Sequence, residues 1–303
     1  MKYTVATRGS KLSMAQTGYI LSQLEEANSD VQFEILRVTT QGDRVSRPLF
    51  QMDRRGIFEK EVNQAVADKR ADFAVHSMKD VSSEISPGLV ISSVPRRATP
   101  NDVILYRDGL DKDSKMLVGT SSLRRLAQTR RFFHDVDVQP IRGNVDTRIS
   151  RLGRPFDAII LAKAGIERLK IDPPHTILPT SKFVPSPGQG ALAIISRKDD
   201  TDTIQLLESI QHRPSRAESE AERAFSSMIE SGCRFPVGAY ANSSNGTIHL
   251  LCAAYPLDDS PPIICEDTGT DPILVGASVG RQMVEKGASS FALKWRQSVE
   301  EWK

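Results

Sequence analysis

Apolar and polar positions along the chain switch repeatedly between a period of two and a period near four. Lys2 to Thr7 alternates, with Tyr3 and Val5 on one face, and predicts a strand. After Arg8-Gly9-Ser10, the residues Met14, Ile20, Leu21 and Leu24 recur at helical spacing. Val31, Phe33 and Ile35, two apart, predict a strand over Val31 to Val38 and complete a strand–helix–strand unit. From Thr39 to Arg55 the pattern dissolves into polar and charged residues, a loop longer than most connections in a compact domain; it reads equally as a lid and as plain surface. Helical spacing resumes over Ile57 to Asp68, with Phe58, Val62 and Ala65 on one face.

Asp72 to His76 has the apolar run of a buried strand and ends in Ser77-Met78-Lys79-Asp80. Leu89 to Val94 and Asp102 to Tyr106 predict two further strands, joined by a short polar link with a proline near each end, Pro95 to Asn101. Met116 to Val118, Val138 to Ile141 and Asp157 to Leu161 predict strands, Ala162 to Leu169 a helix, and Pro173 to Pro187 an irregular path. Gly188-Gln189-Gly190 then precedes an apolar strand, Ala191 to Ile195. Two crossings, near 95 to 101 and near 184 to 190, imply that a second α/β domain is inserted into the first, leaving a cleft that can close as a hinge. Beyond them, Ser215 and Glu218 stand at capping-box spacing ahead of a helix running to Glu230 and stopping at Gly232. Strands over Val237 to Ala241 and Thr247 to Ala254, turned at Asn245-Gly246, and helices after Asp271 predict a small α+β third domain.

Composition narrows the class of protein. With 303 residues, 39% of them hydrophobic and 26% charged, the chain has room for two or three cores and excludes disordered and collagen-like readings. No apolar run approaches membrane-spanning length and no leader precedes the first strand, so a cytoplasmic location is expected. Cys233, Cys252 and Cys265 match no zinc spacing and the five histidines lie apart, so no metal is expected.

Charge, nearly balanced overall at +2, is concentrated locally. Gly119 to Arg154 holds eight arginines against three acidic residues. Thr120, Ser121 and Ser122 open one helix and Thr147 and Arg148 another, each after a glycine-containing turn. Unpaired N–H groups at such starts favour anions, and Arg124, Arg125, Arg142 and Arg148 add guanidinium forks that match carboxylate or phosphate. Arg130, Arg131, Arg151 and Arg154 read as solvated helix faces. Lys79 and Asp80 stand past the C-terminal end of a strand, where α/β sheets place chemistry; loop surface is an equal reading of them.

The runs ATRGS (6 to 10), RADFAVHSMKD (70 to 80), GTSSLRR (119 to 125), RGNVDTR (142 to 148), FDAIILAKAG (156 to 165), GQGAL (188 to 192), AERAF and SGCRFPVGAYA (231 to 241) closely resemble the porphobilinogen deaminases, in that family's order. The resemblance implies two periplasmic-binding-protein-like (type II) α/β lobes joined by a two-strand hinge, plus a small α+β third domain. The domains would comprise 1–95 with 190–212, 99–186, and 214–303. It implies a monomeric transferase of tetrapyrrole biosynthesis. Four porphobilinogen molecules would be joined head to tail with release of ammonia, on a dipyrromethane cofactor held by a thioether to Cys233. By matching position, Asp80 is implied as the catalytic carboxylate, and Lys79, Ser122, Arg124 and Arg125 as cofactor contacts. Arg8, Ser10, Phe58, Thr120, Ser121, Arg142, Arg148, Arg168 and Gln189 are implied to contact substrate. Cys252 and Cys265 are left as apolar packing.

The sequence departs from that pattern at Asp146, where glycine is common, at Ile195-Ser196 in place of Glu-Cys, and at Arg54-Arg55 in place of Gly-Lys. Two competing classes remain on the residues alone. A solute-binding protein would need neither Asp80 nor Cys233. A nucleic-acid binder would set aromatics among its arginines, and aromatics make up only 6% of this chain.

Overall fold

The structure is a computed structural model that describes residues 1–40, 59–111, 114–229, 236–258, 260–291 and 294–295, and the strands within these residues form three sheets. In the first, β1 (Lys2–Arg8) pairs in parallel with β2 (Gln32–Val38) and β3 (Phe73–Ser77). Strand β10 (Leu192–Arg197) inserts antiparallel between β3 and β4 (Leu89–Ser93). Alternate residues face opposite sides of a strand, so neighbours separate into two cores. Val5, Phe73 and Ile194 pack with Ile20 and Leu24 of α1 (Lys11–Ala27), while Ala6, Ala74 and Ile195 pack with Val62 and Val66 of α2 (Lys60–Ala67). Covered on both faces, β3 is apolar without alternation, as its sequence indicated.

The second sheet repeats this order. Strand β6 (Met116–Gly119) lies parallel to β7 (Val136–Gln139) and β8 (Ala158–Ala162), and β5 (Asp102–Tyr106) runs antiparallel to β8 and to β9 (His175–Ile177). Helices α3 (Leu123–Phe132), α4 (Val145–Ile149) and α5 (Lys163–Arg168) follow β6, β7 and β8. The chain is thus an α/β protein with two lobes of like topology, joined by residues 94–101 and 184–191. The third sheet is an antiparallel meander of β11 (Val237–Ser244), β12 (Thr247–Ala254) and β13 (Ile263–Gly269). Between α6 (Thr201–Glu208) and this sheet runs α7 (Arg213–Ile229), and α8 (Pro272–Glu285) packs beside α7.

The third domain meets the two lobes differently. Its core is continuous with that of the second lobe: Phe225, Leu250 and Val279 belong to one buried cluster with Ile104, Val118, Leu126 and Phe183. Toward the first lobe, α7 presents polar side chains. Arg216 donates to the Ile91 carbonyl, and Arg97 forms a two-pronged pair with Glu222, 2.8 and 3.2 Å.

Several elements differ from the sequence reading, among them α6, which has no predicted counterpart. Strand β7 begins and ends two residues earlier than predicted, because Pro140 has no N–H to continue the ladder; Ile141 is buried in the turn beyond it. Strand β9 lies within the stretch predicted as irregular, a three-residue edge too short for a pattern to emerge. Strand β13 was not predicted, because its sequence runs three apolar residues and then three polar ones and so shows no period of two. The capping box at Ser215 and Glu218 does not form. His212 accepts from the Ser215 N–H and starts the helix, while the Ser215 hydroxyl accepts from the Arg97 N–H and Glu218 accepts from the Ser243 N–H.

Candidate anion-binding cleft

At the end of β3 the chain turns through one 3-10 turn, Met78–Asp80, which buries Met78 and leaves Lys79 and Asp80 exposed. The second inter-lobe connection presses on this turn. Gly188 has φ +72°, and a Cβ there would lie 2.7 Å from Met78 Cγ and 2.9 Å from the Lys79 nitrogen, so only glycine allows the approach. Gly190, at φ +88°, passes the other connection so closely that a Cβ would lie 2.4 Å from the Ala98 carbonyl oxygen.

Between these glycines, Gln189 is buried and joins both lobes. Its Oε1 accepts from Lys79 Nζ at 3.3 Å, and its Nε2 donates to the Pro100 carbonyl at 2.8 Å and to Asp102 Oδ1 at 2.9 Å. Asp102, the first residue of β5, is fully buried; Arg125 donates to Oδ1 through Nε and Nη2, at 3.1 and 2.7 Å, and Arg124 Nη1 stands 2.8 Å from Oδ2. Burial would push this carboxyl up, but the two guanidiniums outweigh it and hold Asp102 well below the usual carboxylate range.

Arg124 and Arg125, which open α3, lie 5% and 6% exposed and reach Asp102 and the Val184 and Ile160 carbonyls. The physical reason is Asp102 itself, a fully buried carboxylate whose two oxygens each take a guanidinium partner. No sequence motif marks Asp102; its partners lie more than twenty residues away. The triad keeps one excess positive charge behind Lys79.

The hydroxyls of the same turn also serve it. Ser121 Oγ donates to the Ile141 carbonyl at 2.6 Å, tying the two arginine-bearing turns together, and buried Thr120 accepts from the Ser122 N–H. Ser122 is the N-cap of α3 and Ser10 that of α1.

Arg142, in the turn before α4, and Arg148, in its last turn, are only half-buried. Burial, then Arg125 and Arg142, push Arg148 down to about 10, so the dominant influences on it oppose positive charge. Burial likewise pushes Arg142 down, and Arg168, whose Nη2 donates to the Gly190 carbonyl at 2.6 Å, down to about 10. Lys79 keeps solvent access along the cleft although protein surrounds it. Burial, then Arg125, push it down to about 8 against the opposing pull of Asp80 and Asp102. Arg8 closes the set at the end of β1. Asp146 does not offset these charges by pairing with Arg142 or Arg148; its carboxylate holds Lys11 of the opposite lobe at 2.8 Å.

Crowded, partly desolvated cations of this kind stabilise a ligand that carries several carboxylates, and that donor set fits a dipyrromethane bearing acidic side chains. Phe58, Cys233 and residues 41–55 of the predicted lid lie outside the described residues. Cys252 and Cys265 are buried opposite one another on β12 and β13, and burial raises the Cys252 thiol far above its ordinary range, which makes it a poor nucleophile. Among the described residues no three His, Cys, Asp or Glu side chains gather as a metal site, and no helix is long and apolar enough to cross a membrane.

Comparison with known proteins bears on this cleft. A family model described as "Porphobilinogen deaminase, dipyromethane cofactor binding domain" matches residues 3–205, and one described as "Porphobilinogen deaminase, C-terminal domain" matches residues 217–285. The chain is 50% identical over 308 residues to a probable porphobilinogen deaminase of Nitrosopumilus maritimus, covering 100% of this chain and 99% of that one. It is 40% identical to the porphobilinogen deaminase of Brevibacillus brevis, over 95% of each chain, and 38% identical to that of Listeria monocytogenes, over 97% of this chain and 98% of the relative.

Proposed function

The chain belongs to the porphobilinogen deaminase family, and on that premise we propose that its cleft joins porphobilinogen units with Asp80 as the catalytic carboxylate. The family's reaction is a transfer: porphobilinogen molecules are linked head to tail, each losing ammonia, to give hydroxymethylbilane for tetrapyrrole synthesis. The observation that carries the reading is a run of cations that begins beside the exposed Asp80: Lys79 lies within electrostatic reach of Asp80 and Arg125, and Arg148 within reach of Arg125 and Arg142.

Each residue then has a physical task. Arg142, Arg148 and Arg168 hold substrate carboxylates, and Arg8 and Ser10 do so from the first lobe. Binding of this kind alone lowers KM without accelerating the reaction. Asp80 accelerates it by setting its carboxylate against the pyrrole N–H, where positive charge builds as the amine leaves, and by carrying protons to that amine. Gln189 fixes the Lys79 ammonium, and the Arg124–Arg125–Asp102 triad supports the floor with its excess charge. When bound, the dipyrromethane supplies the primer ring to which new units are added and further carboxylates for the same cations. Its thioether is assigned to Cys233, next to Arg234, whose charge favours the thiolate; Cys252 and Cys265 are enclosed in the third domain.

The experiment is intact-protein mass spectrometry with peptide mapping on the parent, Asp80→Ala and Cys233→Ser. A pyrrole adduct on the Cys233 peptide of the parent and of Asp80→Ala, absent from Cys233→Ser, with bilane formation lost in Asp80→Ala, is the expected result. Normal bilane formation by Asp80→Ala, or an adduct on Cys252 or Cys265, would overturn it.

A further inference from the structure

We propose that Glu59 is a positioning residue for Asp80, clamping the turn that carries it from one side while Arg223 clamps it from the other; this rests on the reading of Asp80 given above. Glu59 stands one residue ahead of α2 and is 5% exposed. Its Oε1 accepts from the Ser82 N–H at 3.0 Å and from the Ser82 hydroxyl in a short hydrogen bond. On the opposite side Arg223, from the middle of α7, donates to the Ser82 and Ser83 carbonyls at 2.8 and 2.9 Å, with a longer contact to Val81. Every polar backbone group of Ser82 is therefore held, and the Val81 N–H closes the 3-10 turn on the Met78 carbonyl at 3.1 Å. With Met78 buried beneath Gly188, the Asp80 backbone is fixed on both flanks.

A purely structural tie has no need of a carboxyl. Glu59 Oε2 is buried with no hydrogen-bond partner among the described residues, an expensive arrangement when an amide or hydroxyl would serve Ser82 as well. What a carboxyl adds is charge beside Asp80. Burial pushes Glu59 up, the Ser82 bonds and Arg223 pull it back, and Asp80 pushes it up again. Among the described residues, the groups facing Glu59 are Ser82 and Asp80 on the turn and Arg223 on α7.

The test compares holoenzyme carrying Glu59→Ala and Glu59→Gln, with Asp80→Asn alongside. Loss of the clamp in Glu59→Ala is expected to lower kcat by about ten- to a hundredfold while KM stays within about twofold, the pattern of a misplaced reacting group. Glu59→Gln keeps an oxygen for Ser82 and should recover most of kcat. Parent-like kcat in Glu59→Ala, or a Glu59→Gln variant as slow as Glu59→Ala, would overturn the proposal. If Asp80→Asn itself turned over normally, the reading of Asp80 would fall and take this inference with it. An inactive Asp80→Asn beside parent-like Glu59 variants removes the inference alone.

Discussion

At the start of α3, Arg124 and Arg125 turn into the protein and share the buried carboxylate of Asp102. Further along the chain, in the turn before α4 and in its last turn, Arg142 and Arg148 are half-buried in the cleft, and burial and neighbouring guanidiniums push Arg148 away from its charged form. Both turns follow a strand, contain a glycine and begin a helix, so local chemistry alone would give them one role. Their difference lies in a residue from another part of the chain. Where β5 delivers Asp102, Arg124 and Arg125 become part of the architecture; Arg148 instead donates through Nε to the Gly143 carbonyl of its own turn, 2.8 Å, and stays half-buried. Ser121, bonded to the Ile141 carbonyl, makes the first turn a rigid support for the second.

The contrast predicts opposite consequences for equal truncations. Asp102→Ala should have the largest effect: two buried guanidiniums lose their counter-ion, and chemical denaturation should show about 3–5 kcal/mol of lost stability. A change below 1 kcal/mol would dissolve the distinction between the turns. Arg148→Ala should leave the unfolding midpoint within about 0.5 kcal/mol of the parent yet raise KM for porphobilinogen roughly tenfold, the loss of one charge-assisted contact. Unfolding of that variant at parent-like KM would place Arg148 with the structural pair.

Lys79 tests the cleft side by titration. With its pKa lowered to about 8, it is a cation below that pH and progressively neutral above it. Substrate binding should therefore weaken as pH rises through about 8, and Lys79→Arg, which stays charged, should flatten that limb. Smallest of all, the exposed Lys11–Asp146 pair spans the mouth of the cleft, and Asp146→Asn should change KM by no more than about twofold, with the difference fading as salt is added. A larger, salt-resistant change would mean that Asp146 acts on Arg142 or Arg148 after all.

What could be read from the sequence follows the range of the interaction involved. The strands around Val5, Phe73 and Ile194 and the helix of Ile20 and Leu24 were legible because burial imposes a period on each segment separately. Motifs likewise located Lys79, Asp80, Gly188 and Gly190, since a tight turn against a neighbouring backbone restricts the residue type. The inward path of Arg124 and Arg125 was not legible, because a guanidinium looks the same whether it meets a ligand or Asp102. Ser215 and Glu218 misled for a related reason. Their spacing satisfied a local rule, but Arg97 and Ser243, remote in sequence, claimed both side chains. Glu59 falls inside the predicted helix over Ile57 to Asp68, and nothing local marks its tie to Ser82, 23 residues further on.

The strand order of the first lobe carries a further consequence, for assembly. The second lobe is contiguous, its five strands lying between Asp102 and Ile177, and can pair completely as soon as that stretch exists. The first lobe cannot: β10, between β3 and β4, is supplied only after the chain has passed through the whole second lobe and returned. Pairings so distant in sequence form late. As the chain leaves the ribosome, the arginine-bearing lobe should therefore be in place before β10 arrives to complete the sheet beneath Asp80, so that the nascent protein has its anion-binding surface before its reactive acid is set in position.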